Sequence, residues 1–256
     1  MQCVGNRRHR FNHFRFSTHC VENRPSHAAK RRNKWIGGAS VPDRYSAHGP
    51  EAESEPGSRG RVLRNRLGIT SAREMARLES ESLLATTQRM IDETQLEQRF
   101  TAADIQRMHR LWLGDIYVWA GEFRQVNIGK GDFMFAAANQ VPRLMQELER
   151  GPLREYTPCR FETADEQAQA LAVVHAELIL IHPFREGNGR CARLLAMLMG
   201  LQAGLPALNF GGIRGEKKRQ YIAAVHAALG RDYAPMTEVF RGVIARTLRS
   251  LARTSS

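Results

Sequence analysis

Four residues that can do chemistry, His182, Glu186, Arg190 and Arg193, fall within one stretch, HPFREGNGRCAR, threaded by Pro183, Gly187 and Gly189. The stretch is a poor helix interior and a poor strand. Its residue types suit a phosphate site. Gly187 and Gly189 let the backbone approach a ligand closely. A helix that opens at Asn188 presents unpaired N–H groups and a partial positive charge to an anion. Arg190 and Arg193 lie three apart on its first turn and share a face, which suits a polyphosphate. Glu186 would be repelled by phosphate unless a cation stands between them, which implies Mg²⁺. His182 titrates near neutrality and can take a proton from a hydroxyl. Base, metal ligand, anion cradle and arginine clamp together point to phosphoryl or nucleotidyl transfer.

Such a site needs two helices to carry it. Leu171, Val174, Leu178 and Ile181 step by three, four and three, which marks one buried face of a helix over about 163–181. Pro183 ends that helix and leaves His182 at its C-terminal edge. A second helix runs from Asn188 through Leu194, Leu195, Leu198 and Leu201 to Gly204. Upstream, Ile69-Thr70-Ser71 opens a helix that reaches Ile91, and Thr101-Ala-Ala-Asp104 opens another through Met108 and Trp112. Further helices are expected at about 139–150, 215–229 and 235–252. The segment FRQVNIGKGDFMF, residues 123–135, reads as a β-hairpin around Gly129-Lys130-Gly131-Asp132, with Phe133 and Phe135 alternating. The expected fold class is all-α, with one hairpin.

The chain has 256 residues and a net charge of +12, unevenly spread. Residues 1–40 hold nine Lys/Arg and one acid, Glu22; the remainder holds 29 basic and 25 acidic residues. Residues 41–60 are rich in Pro, Gly, Ser and Glu. Residues 1–60 are therefore expected to form a disordered basic arm and linker, and 61–256 the folded domain. Phe11, Phe14 and Phe16 among arginines can touch nucleic acid weakly by charge and stacking, although an inert solvated tail is the favoured reading. The four cysteines, Cys3, Cys20, Cys159 and Cys191, form no CxxC pair, so neither a disulfide framework nor a zinc knuckle is indicated, and reduced thiols in the cytoplasm are the expectation. The sequence shows no transmembrane run and no secretory leader.

The stretch HPFREGNGR, followed by Arg193, resembles the signature of the Fic/Doc family, His-Pro-Phe-x-[Asp/Glu]-Gly-Asn-[Gly/Lys]-Arg. Ile116 to Arg124, IYVWAGEFR, resembles that family's YxWAGxxR segment, and Lys130 to Ala136 its flap hairpin. The resemblance covers roughly residues 61–250. It implies a Fic-type helical bundle that transfers AMP from ATP to a Tyr, Thr or Ser hydroxyl of a target protein. It makes His182 the general base and Glu186 the Mg²⁺ ligand. Gly187, Asn188 and Gly189 become the anion hole, with Asn188 also reaching the α-phosphate. Arg190 and Arg193 become the ligands of the outer phosphates, and Tyr221 an adenine contact. Lys130, Gly131, Asp132, Phe133, Met134 and Phe135 become a flap that holds the target segment as an added strand. Phe184 reads as a core anchor.

Gly189 stands where the family's kinase-like branch has Lys, which favours AMP transfer over phosphorylation. A phosphotransferase or a non-catalytic Fic-like binding module are the alternatives. A metal hydrolase using His175, Glu177 and His182 is disfavoured, because His175 and His182 lie about two helical turns apart. The family's inhibitory motif, [Ser/Thr]-x-x-x-Glu-[Gly/Asn], has one match, Thr18, Glu22 and Asn23, in a segment that is a poor helix. Inhibition by a separate small antitoxin is therefore expected.

Overall fold

The computed structural model describes residues 46–47, 51, 53–131 and 133–254. All belong to one unit, Gly37–Ser256. The basic arm, its cysteines and the Thr18–Glu22–Asn23 match lie outside the described residues. In order, the elements are β1 (Ser46–Ala47), α1 (Ala72–Glu93), α2 (Ala102–Leu113), β2 (Ile128–Lys130), β3 (Phe133–Met134), α3 (Val141–Leu148), α4 (Arg154–Tyr156), α5 (Ala164–Ile181), α6 (Asn188–Gln202), α7 (Glu216–Ala227) and α8 (Ala234–Thr254). The all-α expectation with one hairpin holds.

The helix starts follow from local chemistry. Ser71 caps α1 by accepting from the Glu74 N–H. Thr101 with Asp104, and Thr163 with Glu166, form reciprocal capping boxes at α2 and α5. The third helix differs from expectation. α3 runs on through a π-helical turn, Glu149–Leu153, into α4, so the helical path reaches Tyr156 rather than 150. Pro152 lies inside that turn, where its missing N–H favours a wider winding.

α5 is the axis of the core. Leu171, Val174, Leu178 and Ile181 are all buried, and so are Ala168, Ala170, Ala172, Val173 and Ala176 between them. The helix is enclosed nearly all round, packed against α6 and α8. Each large aliphatic side chain taken from water there contributes about 1.5–3 kcal/mol. α1 and α2 pack on each other, and both reach α6. A second apolar cluster, with Trp112, Tyr117 and Trp119, fills the space beneath that junction. No helix among the described residues is long and apolar enough to cross a membrane.

The domain edge lies earlier than residue 61. The sheet has the order β1-β2-β3, and Ser46 and Ala47 pair antiparallel with Gly129 and Ile128. The Glu51 carbonyl accepts from Arg185 Nε at 2.9 Å. Its carboxylate accepts from the Gln125 N–H at 3.1 and 3.2 Å. Glu55 N–H donates to the Val62 carbonyl at 2.8 Å and Arg64 N–H to that of Glu53 at 2.9 Å. Over 53–60 the expectation of a disordered linker is thus corrected. The segment gains order from backbone pairing with 61–65 and from Glu55 bonding Asn65, not from apolar burial. A reading based on apolar content misses that source.

Candidate active site

The HPFREGNGR stretch forms the junction between α5 and α6. His182 caps α5 in the left-handed region, with φ 52° and ψ 60°. Histidine is among the few non-glycine types enriched there. Its Nδ1 lies 2.9 Å from the Ile179 carbonyl. A carbonyl only accepts, so Nδ1 carries the proton and Nε2 keeps the lone pair. Phe135 of the hairpin stacks on the imidazole, with centroids 3.7 Å apart and 17° between planes. Burial pushes the His182 pKa down to about 3, against the bond to Ile179. The side chain is neutral at physiological pH.

Gly187 precedes α6 with φ +84°. The N–H groups of Arg190 and Cys191 turn back to the Gly187 carbonyl, each at 2.9 Å. Those of Asn188 and Gly189 come too early for a helical partner, an arrangement that suits an anion. The Asn188 side chain is not a phosphate arm in this geometry. Its Oδ1 accepts from the Phe184 N–H at 2.8 Å and its Nδ2 donates to the Phe184 carbonyl at 2.7 Å. It staples the loop shut, and it is buried. Phe184 is the expected anchor, fully buried and stacked on His109 at 3.8 Å.

Glu186 is 8% exposed, and its Oε1 accepts from the Gly187 N–H at 2.9 Å. Among the described residues no cluster of three or more His, Cys, Asp or Glu could hold a metal by itself. A single carboxylate beside an anion cradle fits Mg²⁺, which is commonly bound by one or two carboxylates plus substrate phosphates. Arg190 does not stand open as a phosphate clamp. Its Nη1 bonds Glu79 of α1 at 2.8 Å, and its guanidinium lies over Trp112, 4.4 Å from the ring centroid. Arg193 is half-buried and close to Gly189. The Tyr221 hydroxyl lies 2.9 Å from His175 Nε2, and burial pushes its pKa up to about 12.

Tyr221 is tied to α5 through His175, which therefore supports the site and does not ligate a metal. Glu177 accepts from the Tyr233 hydroxyl, so the hydrolase constellation of His175, Glu177 and His182 is not assembled. In the hairpin, Gly131 takes the turn with φ +60°, Phe133 stacks on His226 at 4.9 Å, and Met134 is exposed. Lys130 lies on β2 and its charge acts against protonation of His182. Asp132 lies outside the described residues. The hairpin was expected to serve the target; Phe135 also roofs the base.

Three residues carry more than their sequence context announced. Arg124 is buried and donates Nε to the His182 carbonyl and Nη1 to that of Val126, both at 2.7 Å. Its Nη2 reaches the carbonyls of Ala136 and, at 3.4 Å, Ile181. Burial lowers its pKa to about 10, opposed by Glu51, so it stays charged at pH 7. One guanidinium thus holds the base-bearing loop to both feet of the hairpin. Arg124→Met is expected to lower unfolding free energy by about 2–4 kcal/mol in urea denaturation, since it leaves buried carbonyls without a donor. Unchanged stability would remove Arg124 from this role. His109 accepts the Gly121 N–H on Nδ1 at 2.8 Å, so Nε2 carries the proton and donates to the Glu186 carbonyl at 3.0 Å. Glu79 is the third. Arg124 belongs to the quoted IYVWAGEFR segment. His109 and Glu79 carry no sequence signal, because only the fold brings them to the motif.

His109, His175 and His182 all have pKa values pushed down to about 3, chiefly by burial. In the unfolded chain each titrates near 6.5. Below that value the unfolded state binds protons that the folded state refuses. Their stabilising contribution is complete above about pH 6.5 and is lost as pH falls toward 3. The urea midpoint is expected to fall from pH 7.5 to pH 5, and His175→Gln should flatten that slope by about one proton. An equal slope in the variant would show that His175 is not buried neutral.

The fold and site define a helical domain built around an anion-binding junction beneath a β-hairpin. The Fic/DOC family model matches residues 99–199. The probable protein adenylyltransferase Fic of Salmonella typhimurium is 32% identical over 191 residues, covering 72% of this chain and 88% of that protein. The protein adenylyltransferase VbhT of Bartonella schoenbuchensis is 31% identical over 143 residues, covering 56% of this chain and only 30% of that longer protein. Among solved structures, the BepC protein of Bartonella tribocorum with bound AMPPNP aligns with a TM-score of 0.57 at 23% identity, covering 71% of this chain and 91% of that one. The chain belongs to the Fic/DOC family.

Proposed function

We propose that the protein is a protein adenylyltransferase, moving AMP from ATP to a Tyr, Thr or Ser hydroxyl of a target protein. The observation that carries the reading is the tautomer of His182, in which Nδ1–H is held by the Ile179 carbonyl, so that Nε2 is the ring nitrogen able to take a proton, at the glycine-flanked junction between α5 and α6. Relatives about 30% identical bear the name protein adenylyltransferase. The hydroxyl oxygen forms a bond to the α-phosphorus, the bond from that phosphorus to the β-bridging oxygen breaks, and pyrophosphate leaves. The proton passes to Nε2 of His182. The N–H groups of Asn188 and Gly189, with Gly187 allowing the approach, hold phosphate oxygens, and Arg193 neutralises the outer phosphates, while Arg190, engaged by Glu79, adds its charge from the α1 side of the site. Glu186 would hold Mg²⁺, which supplies charge neutralisation on the phosphates. Tyr221, fixed by His175, borders the base of the nucleotide.

The hairpin presents Lys130, Gly131, Asp132, Phe133, Met134 and Phe135 to an extended target segment. Phe135 must leave the imidazole for a hydroxyl to reach it. A small antitoxin protein as separate inhibitor belongs to the same proposal, resting on the low helix propensity of the residues around Thr18, Glu22 and Asn23, the sequence match to the inhibitory motif. So do a cytoplasmic location, in keeping with the buried free thiols of Cys159 and Cys191, and weak nucleic-acid contact by the basic arm.

The test is label transfer to lysate proteins with Mg²⁺ and ATP labelled at the α- or the γ-phosphate. Protein labelled from the α-position alone is the expected result. Labelling from the γ-position alone would make the protein a kinase, and the argument from Gly189 would fail.

A further inference from the structure

Glu79 stands 111 residues from Arg190 in sequence and touches it in the fold. It is 8% exposed. Its Oε2 pairs with Arg190 Nη1 at 2.8 Å, its Oε1 accepts from the Tyr117 hydroxyl at 2.8 Å, and its backbone carbonyl accepts from Trp112 Nε1 at 2.8 Å. Trp112 in turn is the floor beneath the Arg190 guanidinium and beneath Gly187. On the other side Arg190 Nη2 is 3.6 Å from Glu186 Oε1. One guanidinium therefore sits between two carboxylates and holds the α1 carboxylate the more closely. All three side chains are largely buried, so water screens these charges little.

Were Glu79 uncharged, the attraction left to Arg190 would be Glu186, one helical turn back at i−4. The guanidinium would close on the carboxylate that a divalent cation needs, and cation and arginine would compete for it. We propose that Glu79 is a positioning residue which, with Tyr117 and Trp112, draws Arg190 onto α1 and keeps it from closing on Glu186, so that the Glu186 carboxylate binds the nucleotide's cation. The inference rests on the adenylyltransferase reading, in which Glu186 is the cation ligand. It differs in kind from inhibition by a carboxylate, which would withhold an arginine from ATP and lower activity.

The test uses the full chain and a fluorescent ATP analogue, mant-ATP, whose binding is measured with and without Mg²⁺. Wild type is expected to bind it more tightly with Mg²⁺; if it does not, the functional reading itself fails before any variant is compared. Glu79→Gln keeps the size and an acceptor for Tyr117 but removes the charge. It is expected to reduce the Mg²⁺-dependent gain by on the order of 10–100-fold, the range found when a partner that orients a metal ligand is lost. Glu79→Asp should keep most of the gain, and Tyr117→Phe should lose part of it in the same direction. A merely structural role would lower the melting temperature in Glu79→Gln and leave the Mg²⁺ dependence unchanged, which would overturn the proposal. So would higher transferase activity in Glu79→Gln, which would make Glu79 a brake. If Glu79→Gln does not fold, unaltered Mg²⁺ dependence in Tyr117→Phe overturns it equally.

Discussion

His182→Ala is expected to reduce transfer of the α-label by about 10²–10⁴-fold, the contribution of a positioned general base. Nucleotide binding should change little, because the anion-binding N–H groups belong to the residues after Gly187. The substitution also disturbs backbone energetics. His182 sits at φ 52°, and alanine there costs about 1–2 kcal/mol. His182→Asn is the cleaner comparison, since asparagine tolerates the left-handed region and cannot accept the proton. Both variants should be equally inactive. Activity retained in His182→Asn would mean that the imidazole is no base. In wild type the rate should hold level from pH 8 to below 6.5. Burial keeps the imidazole neutral over that range, and its acid limb lies below the ordinary histidine value. A limb centred near 6.5 would show that water, not the target segment, covers the imidazole once Phe135 has left it.

The features visible in the sequence are those encoded locally. Ser71, Thr101 and Thr163 cap helices because a side-chain oxygen meets N–H groups within three residues, and such spacing is readable from the chain. The α5 face was readable because period and burial coincide. Gly187 and His182 stood out for a missing Cβ and for proton chemistry; that both take left-handed backbone is a finding of the fold. What was not readable depends on contacts distant in sequence. Glu79 has acidic and polar neighbours along α1 and looks like any solvated face until α6 meets it. His109 resembles a helix-surface histidine until Gly121 and Glu186 close on its two nitrogens. Ser46–Ala47 lies in a polar stretch whose order comes from the edge of β2. The roles expected of Asn188 and Arg190 were displaced for the same reason. Their side chains are engaged by Phe184 and by Glu79, contacts that no local spacing announces, whereas the unpaired N–H groups at the start of α6 were legible from Gly187 and Gly189.

Gly187→Ala is expected to damage both folding and transfer. At φ +84° an alanine is strained on its own account. Its Cβ would come 2.6 Å from Cζ3 and 2.9 Å from Cη2 of Trp112, and 3.4 Å from Nε2 of His109. Neither neighbour can yield cheaply. Trp112 is buried and hydrogen-bonded to Glu79, and His109 is held at both nitrogens. Strain and overpacking together should cost about 2–4 kcal/mol in urea denaturation. The loop that moves to relieve them carries Glu186 and the first N–H groups of α6, and a displacement near 1 Å is enough to lower transfer about 10²-fold. Gly189→Ala separates the two effects. Its Cβ meets only Arg193 Nη1, at 3.7 Å, so folding stability should stay within about 0.5 kcal/mol of wild type. The added methyl would still enter the face proposed for phosphate, and mant-ATP affinity should fall. Equal stability in the two alanine variants would show that Trp112 does not fix the loop, whose shape would then rest on Asn188, His109 and Arg124.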